Sequence, residues 1–458
     1  VLFQNTILFS QNLIKHIEPL SWWVNMESSN FQLFINGNNL KDYSIEITDE
    51  RVEIIQIKNL ENNNYVAIDL EILERKEAFN FDINFKKKGQ IIEKLNYKMG
   101  IKTKRIMKES TFNSSDVIYL ITPDRFANGN KNNDINQSLR EKKINRSKSN
   151  SRHGGDIQGI IDHLDYISEM GFTAIWSTPM LENDMEKLSY HGYAITDFYK
   201  IDPRMGDNEL YKTLSKKANE KGIKLIKDVV LNHIGSKHWW MSDLPSKDWI
   251  NNYEKYTNTS HVRESLHDPY SVKSDISSFS DGWFVKQMPD LNQRNPILSK
   301  YIIQNCLWWI EFAQLSGFRV DTYSYSDREF LNTWNNTIQK EYPGFNIVGE
   351  EWTTDKSIIG LWQKPNSDNA NSSIVQKYRS NILSLMDFPL NNAIIKSLQP
   401  KEQKWDHKLS ILYRNLAQDY LYPNPNNMVI FLDNHDMSRI FCQLNHDLNY
   451  WKMAQAFL

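Results

Sequence analysis

The chain has little of what would place it in several functional classes. It holds only two cysteines, Cys306 and Cys442, too few for a disulfide framework and at no metal-ligand spacing. Cys306 lies in an apolar helical pattern, which suits a small buried hydrophobe. No apolar run reaches the ~18 residues of a membrane-spanning helix. Neither sign of charge is in excess: a formal net charge of -2 gives no field favouring nucleic acid or an anionic membrane. An initiator methionine is missing as well, since the chain begins with Val1. A removed signal peptide is one reading of that start. With the Asn/Lys-rich composition it makes the periplasm the expected location, with the cytoplasm as the alternative.

What is present is an ordinary globular balance, 40% hydrophobic and 24% charged, at a length that calls for two or three domains. Aromatics make up 12% of the chain, with 14 Trp and 21 Tyr. Such rings fill cores, and they also stack on flat apolar sugar faces.

Up to about Lys108 the pattern is β. Phe31–Ile35, Val52–Ile57, Tyr65–Leu70 and Phe79–Phe85 read as strands, separated by turns such as Asn36-Gly37-Asn38-Asn39. A β-sandwich over residues 1–110 is expected. After a linker near Lys102–Ser115 the pattern changes. Val117–Ile121 and Phe172–Trp176 read as strands. Asp156–Met170, Asn208–Lys221 and Pro296–Leu315 read as helices, and Asn449–Leu458 begins another. Strands alternating with helices predict a parallel sheet, here a (β/α)8 TIM barrel over residues 111–458. Residues 234–292 lack the barrel period and read as a small domain inserted after strand three. Ser384–Phe388 reads as strand six. An eighth strand is expected beyond residue 458, so the sequence reads as a piece of a longer protein.

Four of the expected strands end in an acid: Lys224–His233 with Asp228, Gly317–Asp321, Ile347–Glu350 and Met428–Asp436. A barrel gathers strand C-terminal ends on one rim, where chemistry sits. Asp228, Asp321, Glu350 and Asp436 are therefore expected in one cleft. Adjacent strand-end residues face opposite ways, so only one of Glu350 and Glu351 can enter it.

In that order, the segments Asp228–His233, Gly317–Asp321, Val348–Glu350 and Phe431–Asp436 resemble the conserved regions of the α-amylase superfamily, glycoside hydrolase family thirteen. Ser21–Met26 and the β-rich stretch after it resemble the N-terminal domain of cyclomaltodextrinases and neopullulanases. The resemblance implies a retaining α-glucan hydrolase acting on maltodextrins, cyclodextrins or pullulan. A glucan transferase on the same scaffold and a non-catalytic glucan-binding relative are the alternatives. It implies Asp321 as nucleophile, Glu350 as acid and base, and Asp436 as a ligand of sugar hydroxyls. Arg319, His233 and His435 would bind and polarise. Tyr193 would be a stacking platform with His191 beside it, and Asn232 would be among the substrate-binding residues. Asp228 either takes part directly or shapes the site. Trp22 and Trp23 either pack or offer sugar platforms.

The segment Met288–Asn292 mixes features of α-1,4- and α-1,6-acting subgroups, so bond preference stays open. The resemblance also implies Ca²⁺ held by Asn128, Asn130, Asn133, Asp134, Gly154 and Asp156. An oxygen-rich loop suits that ion, although Asn130 stands where the subgroup often has Asp. A homodimer through the N-terminal domain is a further implication.

Overall fold

The computed structural model describes residues 13–364, 380–399 and 408–458. They group into two compact units. One comprises residues up to Lys104 with Asp243–Trp249; the other comprises Arg105–Ser242 and Ile250–Leu458.

The first unit is two four-stranded sheets. One runs β1 (Ile14–Glu18), β3 (Asn30–Gly37), β6 (Tyr65–Ile72), β5 (Val52–Asn59). The other runs β2 (Trp22–Val24), β8 (Gln90–Ile101), β7 (Phe79–Lys87), β4 (Ser44–Ile47). Every pair is antiparallel except β2 with β8. Phe31, Leu33, Ile68, Leu70, Phe81 and Ile83 are buried core residues. Trp22 stacks on Phe31 at 5.5 Å and is buried, so it packs and offers no face to a sugar. Asn39 takes a left-handed φ of 48°, which explains the Asn/Gly turn.

The second unit is built on six parallel strands: β9 (Ile118–Ile121), β10 (Ala174–Ser177), β13 (Lys224–Val230), β14 (Gly317–Asp321), β15 (Ile347–Gly349) and β16 (Ser384–Leu385). They lie side by side in chain order, as in the arc of a (β/α)8 barrel. A short antiparallel pair, β11 (Leu181–Glu182) with β12 (Asp197–Ile201), leaves the rim after β10. Trp176, Ile226, Val348 and Met386 are part of one core cluster. The long helix Pro296–Ala313 starts on Asn295, whose side chain accepts from the amides of Ile297 (3.0 Å) and Leu298 (3.2 Å).

Two expectations need correction. Met428–Asp436 is no strand: it makes a single parallel bridge, Val429 to Met386. The side-chain amide of Asn391 takes the carbonyls of Phe431 (3.1 Å) and Leu432 (2.7 Å), which a ladder would have used. Asp156–Met170 is not one helix but two, Ile157–Asp162 and Leu164–Glu169. His163 breaks the run at φ -112°, with its ring Nδ1 2.7 Å from the carbonyl of Gly159. Residues 250–292 carry the helix Lys273–Ser280 and a 3-10 turn at Arg263–Leu266. No described helix is long and apolar enough to cross a membrane.

Candidate active site

Strand register builds the site. In the pairing of β13 with β14, Asp228 lies opposite Arg319 and Val230 opposite Asp321. Alternation along β14 puts Arg319 and Asp321 on one face, and the guanidinium of Arg319 reaches inward among the acids. Its Nη1 meets both oxygens of Asp228 (3.0 and 3.1 Å) and Oδ1 of Asp321 (2.9 Å). Its Nη2 lies 2.7 Å from Oε2 of Glu350. One buried cation thus joins three carboxyls from three adjacent strands, and Asp321 and Glu350 share one pocket.

That pocket is a cavity of about 500 Å³ at the strand C-terminal ends. Asp321, Glu350, Asp436, His233, His435, Tyr193 and His191 line it. Asp228, Arg319 and Asn232 do not: they are buried behind its wall. Asp228 also accepts from Trp176 Nε1 and from the Tyr193 hydroxyl, each at 3.0 Å. Both of its oxygens are thus taken up by protein partners away from the cavity.

Thr322 was not singled out by sequence. It follows Asp321 with φ 42°, a left-handed conformation that a β-branched residue rarely adopts. The conformation aims its N–H at Oε2 of Glu350 (3.0 Å), while its hydroxyl meets Oδ2 of Asp321 at 3.3 Å. Thr322 therefore contacts both acids, sharing Oε2 of Glu350 with Arg319. Tyr193 stacks on His435 with ring centroids 5.3 Å apart, and His435 Nε2 lies 2.7 Å from the Tyr193 hydroxyl and 3.2 Å from Asp436. His191 Nδ1 accepts from the Tyr193 amide at 2.9 Å.

Burial dominates the electrostatics. It raises the carboxyl of Asp321 above its usual range, while Arg319 pulls it back. Burial raises Glu350 too, with Arg319 opposing and Asp321 adding to the rise. Asp436 is raised by burial and by Glu350, and Asp228 is pushed up to about 7. One guanidinium is shared among the four acids, and burial outweighs its pull on each of them. Burial drops His191 and His233 to about 4 and His435 to about 3, which keeps all three neutral.

Of the two adjacent glutamates, Glu350 lines the cavity and Glu351 is fully buried away from it. Burial pushes Glu351 up to about 7, and Arg263 lies 3.6 Å from its Oε1. Met288 lines the cavity, while Asp290 is buried beneath it and accepts from Asn251 at 2.8 Å.

The oxygen-rich loop closes on itself. Asp156 caps the helix Ile157–Asp162 and accepts from the amides of Gly129, Asn130 and Gly159 and from the Asn133 side chain. Asn130 Oδ1 accepts from the Asn132 amide at 3.1 Å. The side-chain oxygens of Asn128 and Asn133 are buried without a partner, and Asn128 Nδ2 donates to Asp134 at 2.6 Å. A Cβ on Gly154, at φ 88°, would come within 2.6 Å of Asp134 Oδ1, so only glycine lets the loops converge there. Among the described residues no three His, Cys, Asp or Glu side chains form a metal-holding group.

The α-amylase catalytic domain profile matches residues 120–458, and the cyclomaltodextrinase N-terminal profile matches residues 16–103. A cyclomaltodextrinase from Bacillus sp is 29% identical over 345 residues, 74% of this chain and 56% of that protein. An intracellular maltogenic amylase from Bacillus subtilis (strain 168) is 32% identical over 243 residues, 52% of this chain and 38% of that protein. Among solved structures, an α-amylase from Geobacillus thermoleovorans complexed with acarbose superposes with a TM-score of 0.59 at 31% identity, covering 75% of this chain and 67% of that one. The chain spans about half the length of the curated relatives it matches. With its catalytic-domain match running over most of its length, the chain belongs to the α-amylase family.

Proposed function

We propose that the chain is a retaining α-glucan hydrolase acting on maltodextrins, cyclodextrins or pullulan. The observation that carries the reading is Arg319, shared by Asp321 and Glu350 at one cavity wall. Retention needs a nucleophile and an acid about 5–5.5 Å apart; Asp321 Oδ1 and Glu350 Oε2 lie 2.9 and 2.7 Å from one guanidinium, which holds both carboxyls at the same cavity. Oδ2 of Asp321 accepts only the long bond from Thr322, so it is the freer oxygen for attack. Burial raises the Glu350 carboxyl, the direction that a proton donor requires.

In the first step Oδ2 of Asp321 bonds to the anomeric carbon as Glu350 protonates the departing oxygen. In the second, the Glu350 carboxylate takes a proton from water, whose oxygen displaces Asp321 from the same carbon. Tyr193 forms a platform under the reacting sugar. Asp436, His233 and His435 hold its hydroxyls. Reducing-sugar release from maltoheptaose, β-cyclodextrin and pullulan, with the anomer of the first product read by NMR, tests the reading. An inverted product, or undiminished turnover in Asp321→Asn, would refute it.

Calcium at Asn128, Asn133, Asp134 and Asp156 is supported by the two orphan amide oxygens and the glycine-only approach at Gly154. Bound there, it would pin the loop and supply no catalytic chemistry. A melting temperature that falls with EDTA and recovers with Ca²⁺ checks it. A homodimer through the first unit is supported by exposed Ile55 and Ile57 on edge strand β5, and light scattering tests it. The relative named as intracellular supports the cytoplasm over the periplasm.

A further inference from the structure

A second polar cluster lies along the cavity beside Glu350 and has no part in the chemistry above. Arg263, on the segment between β13 and β14, lines the cavity together with Tyr325 and Trp352. Its Nη1 donates to the carbonyl of Trp352 and lies 3.6 Å from Oε1 of Glu351, and its Nη2 lies 3.5 Å from the Tyr325 hydroxyl. Three protein contacts leave spare donors on a guanidinium that carries five N–H groups. Glu351 is wholly buried, and its ion-pair partner Arg263 comes from a different segment. A carboxyl so buried costs stability that an apolar side chain would not. Arg263 is the cation this buried carboxyl faces, at 3.6 Å.

The side of the cleft follows from the chemistry. Glu350 protonates the departing oxygen, so the leaving sugar lies on the Glu350 side, and Glu351 and Trp352 are the next two residues.

We propose that Arg263 hydrogen-bonds the sugar on the leaving-group side of the scissile bond, and that Glu351 is the positioning residue that holds it there. The pair then selects glucans that continue past the point of cleavage. This rests on the hydrolase reading.

The test uses the full chain and two substrates, maltohexaose and 4-nitrophenyl α-maltoside, whose leaving group carries no sugar. In Arg263→Ala the ratio of kcat/KM for maltohexaose to that for the nitrophenyl glycoside falls about tenfold, the worth of one charge-assisted hydrogen bond, mainly through KM. Arg263→Lys recovers part of the ratio. Glu351→Gln lowers it in the same direction, and the double variant is no worse than Arg263→Ala alone. These two conservative variants keep the test available if the alanine variant does not fold. An active wild type whose ratio is unmoved by Arg263→Ala or Arg263→Lys, or a Glu351→Gln effect fully additive to that of Arg263→Ala, overturns the inference alone. A wild type inactive on both substrates overturns the hydrolase reading as well.

Discussion

Replacing Arg319 by lysine probes the shared cation directly. The guanidinium makes ion pairs of 3.0, 2.9 and 2.7 Å with Asp228, Asp321 and Glu350, with no exposed surface of its own. A lysine ammonium is a point charge and cannot fork to three carboxyls. At least one charge-assisted bond is lost, worth ~1.5–3 kcal/mol. Asp321 already sits above the usual carboxylate range because it is buried, and Arg319 is what pulls it back. Weakening that pull raises the carboxyl further and favours its protonated form. If ~3 kcal/mol appears in the barrier, kcat falls about 10²-fold. KM moves less than about threefold, because Arg319 does not touch the cavity. The acid limb of the pH–kcat profile shifts to higher pH. Initial rates on maltoheptaose from pH 4 to 9, with circular dichroism to verify folding, give all three readouts. A lysine variant with kcat within about threefold of wild type and an unshifted acid limb would refute the reasoning.

Tyr193→Phe keeps the ring but loses the hydroxyl that joins Asp228 to His435. Its kcat is expected to fall about tenfold with KM little changed, whereas Tyr193→Ala also raises KM; steady-state kinetics separate the two. Glu351→Gln tests the buried acid through stability. A carboxyl raised from 4.5 to about 7 binds more protons folded than unfolded, so its contribution is present below about pH 4.5 and lost as pH rises to about 7. The glutamine variant therefore gains on wild type across that window, by at most ~3 kcal/mol, which chemical denaturation at pH 4.5 and 7.5 measures. An equal difference at both pH values would contradict the sign.

The acids at strand ends were legible because Asp321 and Glu350 each close a short β-branched or apolar run; alternation showed that only one of Glu350 and Glu351 could enter the cleft, and the motif resemblance pointed to Glu350. The N-terminal strands β3, β5, β6 and β7 were visible for the same reason. β4 is only four residues long, and β8 is largely exposed, so neither carries a clear apolar signal. Met428–Asp436 has the composition of a strand, but Asn391 takes two of its carbonyls, a contact no local pattern reveals. His163 broke the helix through its own side chain. Thr322 and Arg263 give no signal in sequence: the one acts through a left-handed φ, the other through a partner 88 residues away. Lys227 was likewise invisible. It points away from the site, buried over the ring of Trp309 at 4.5 Å, and burial brings it down to about 7.

The most direct measurement traps the covalent intermediate. In Glu350→Gln, α-maltosyl fluoride still reacts, because fluoride leaves without a proton donor, and breakdown slows because no base activates water. Intact and peptide mass spectrometry should then show one maltosyl group esterified to Asp321. Fluoride release with no adduct on Asp321, or with the sugar on another carboxyl, would contradict the assignment of Asp321 as the nucleophile.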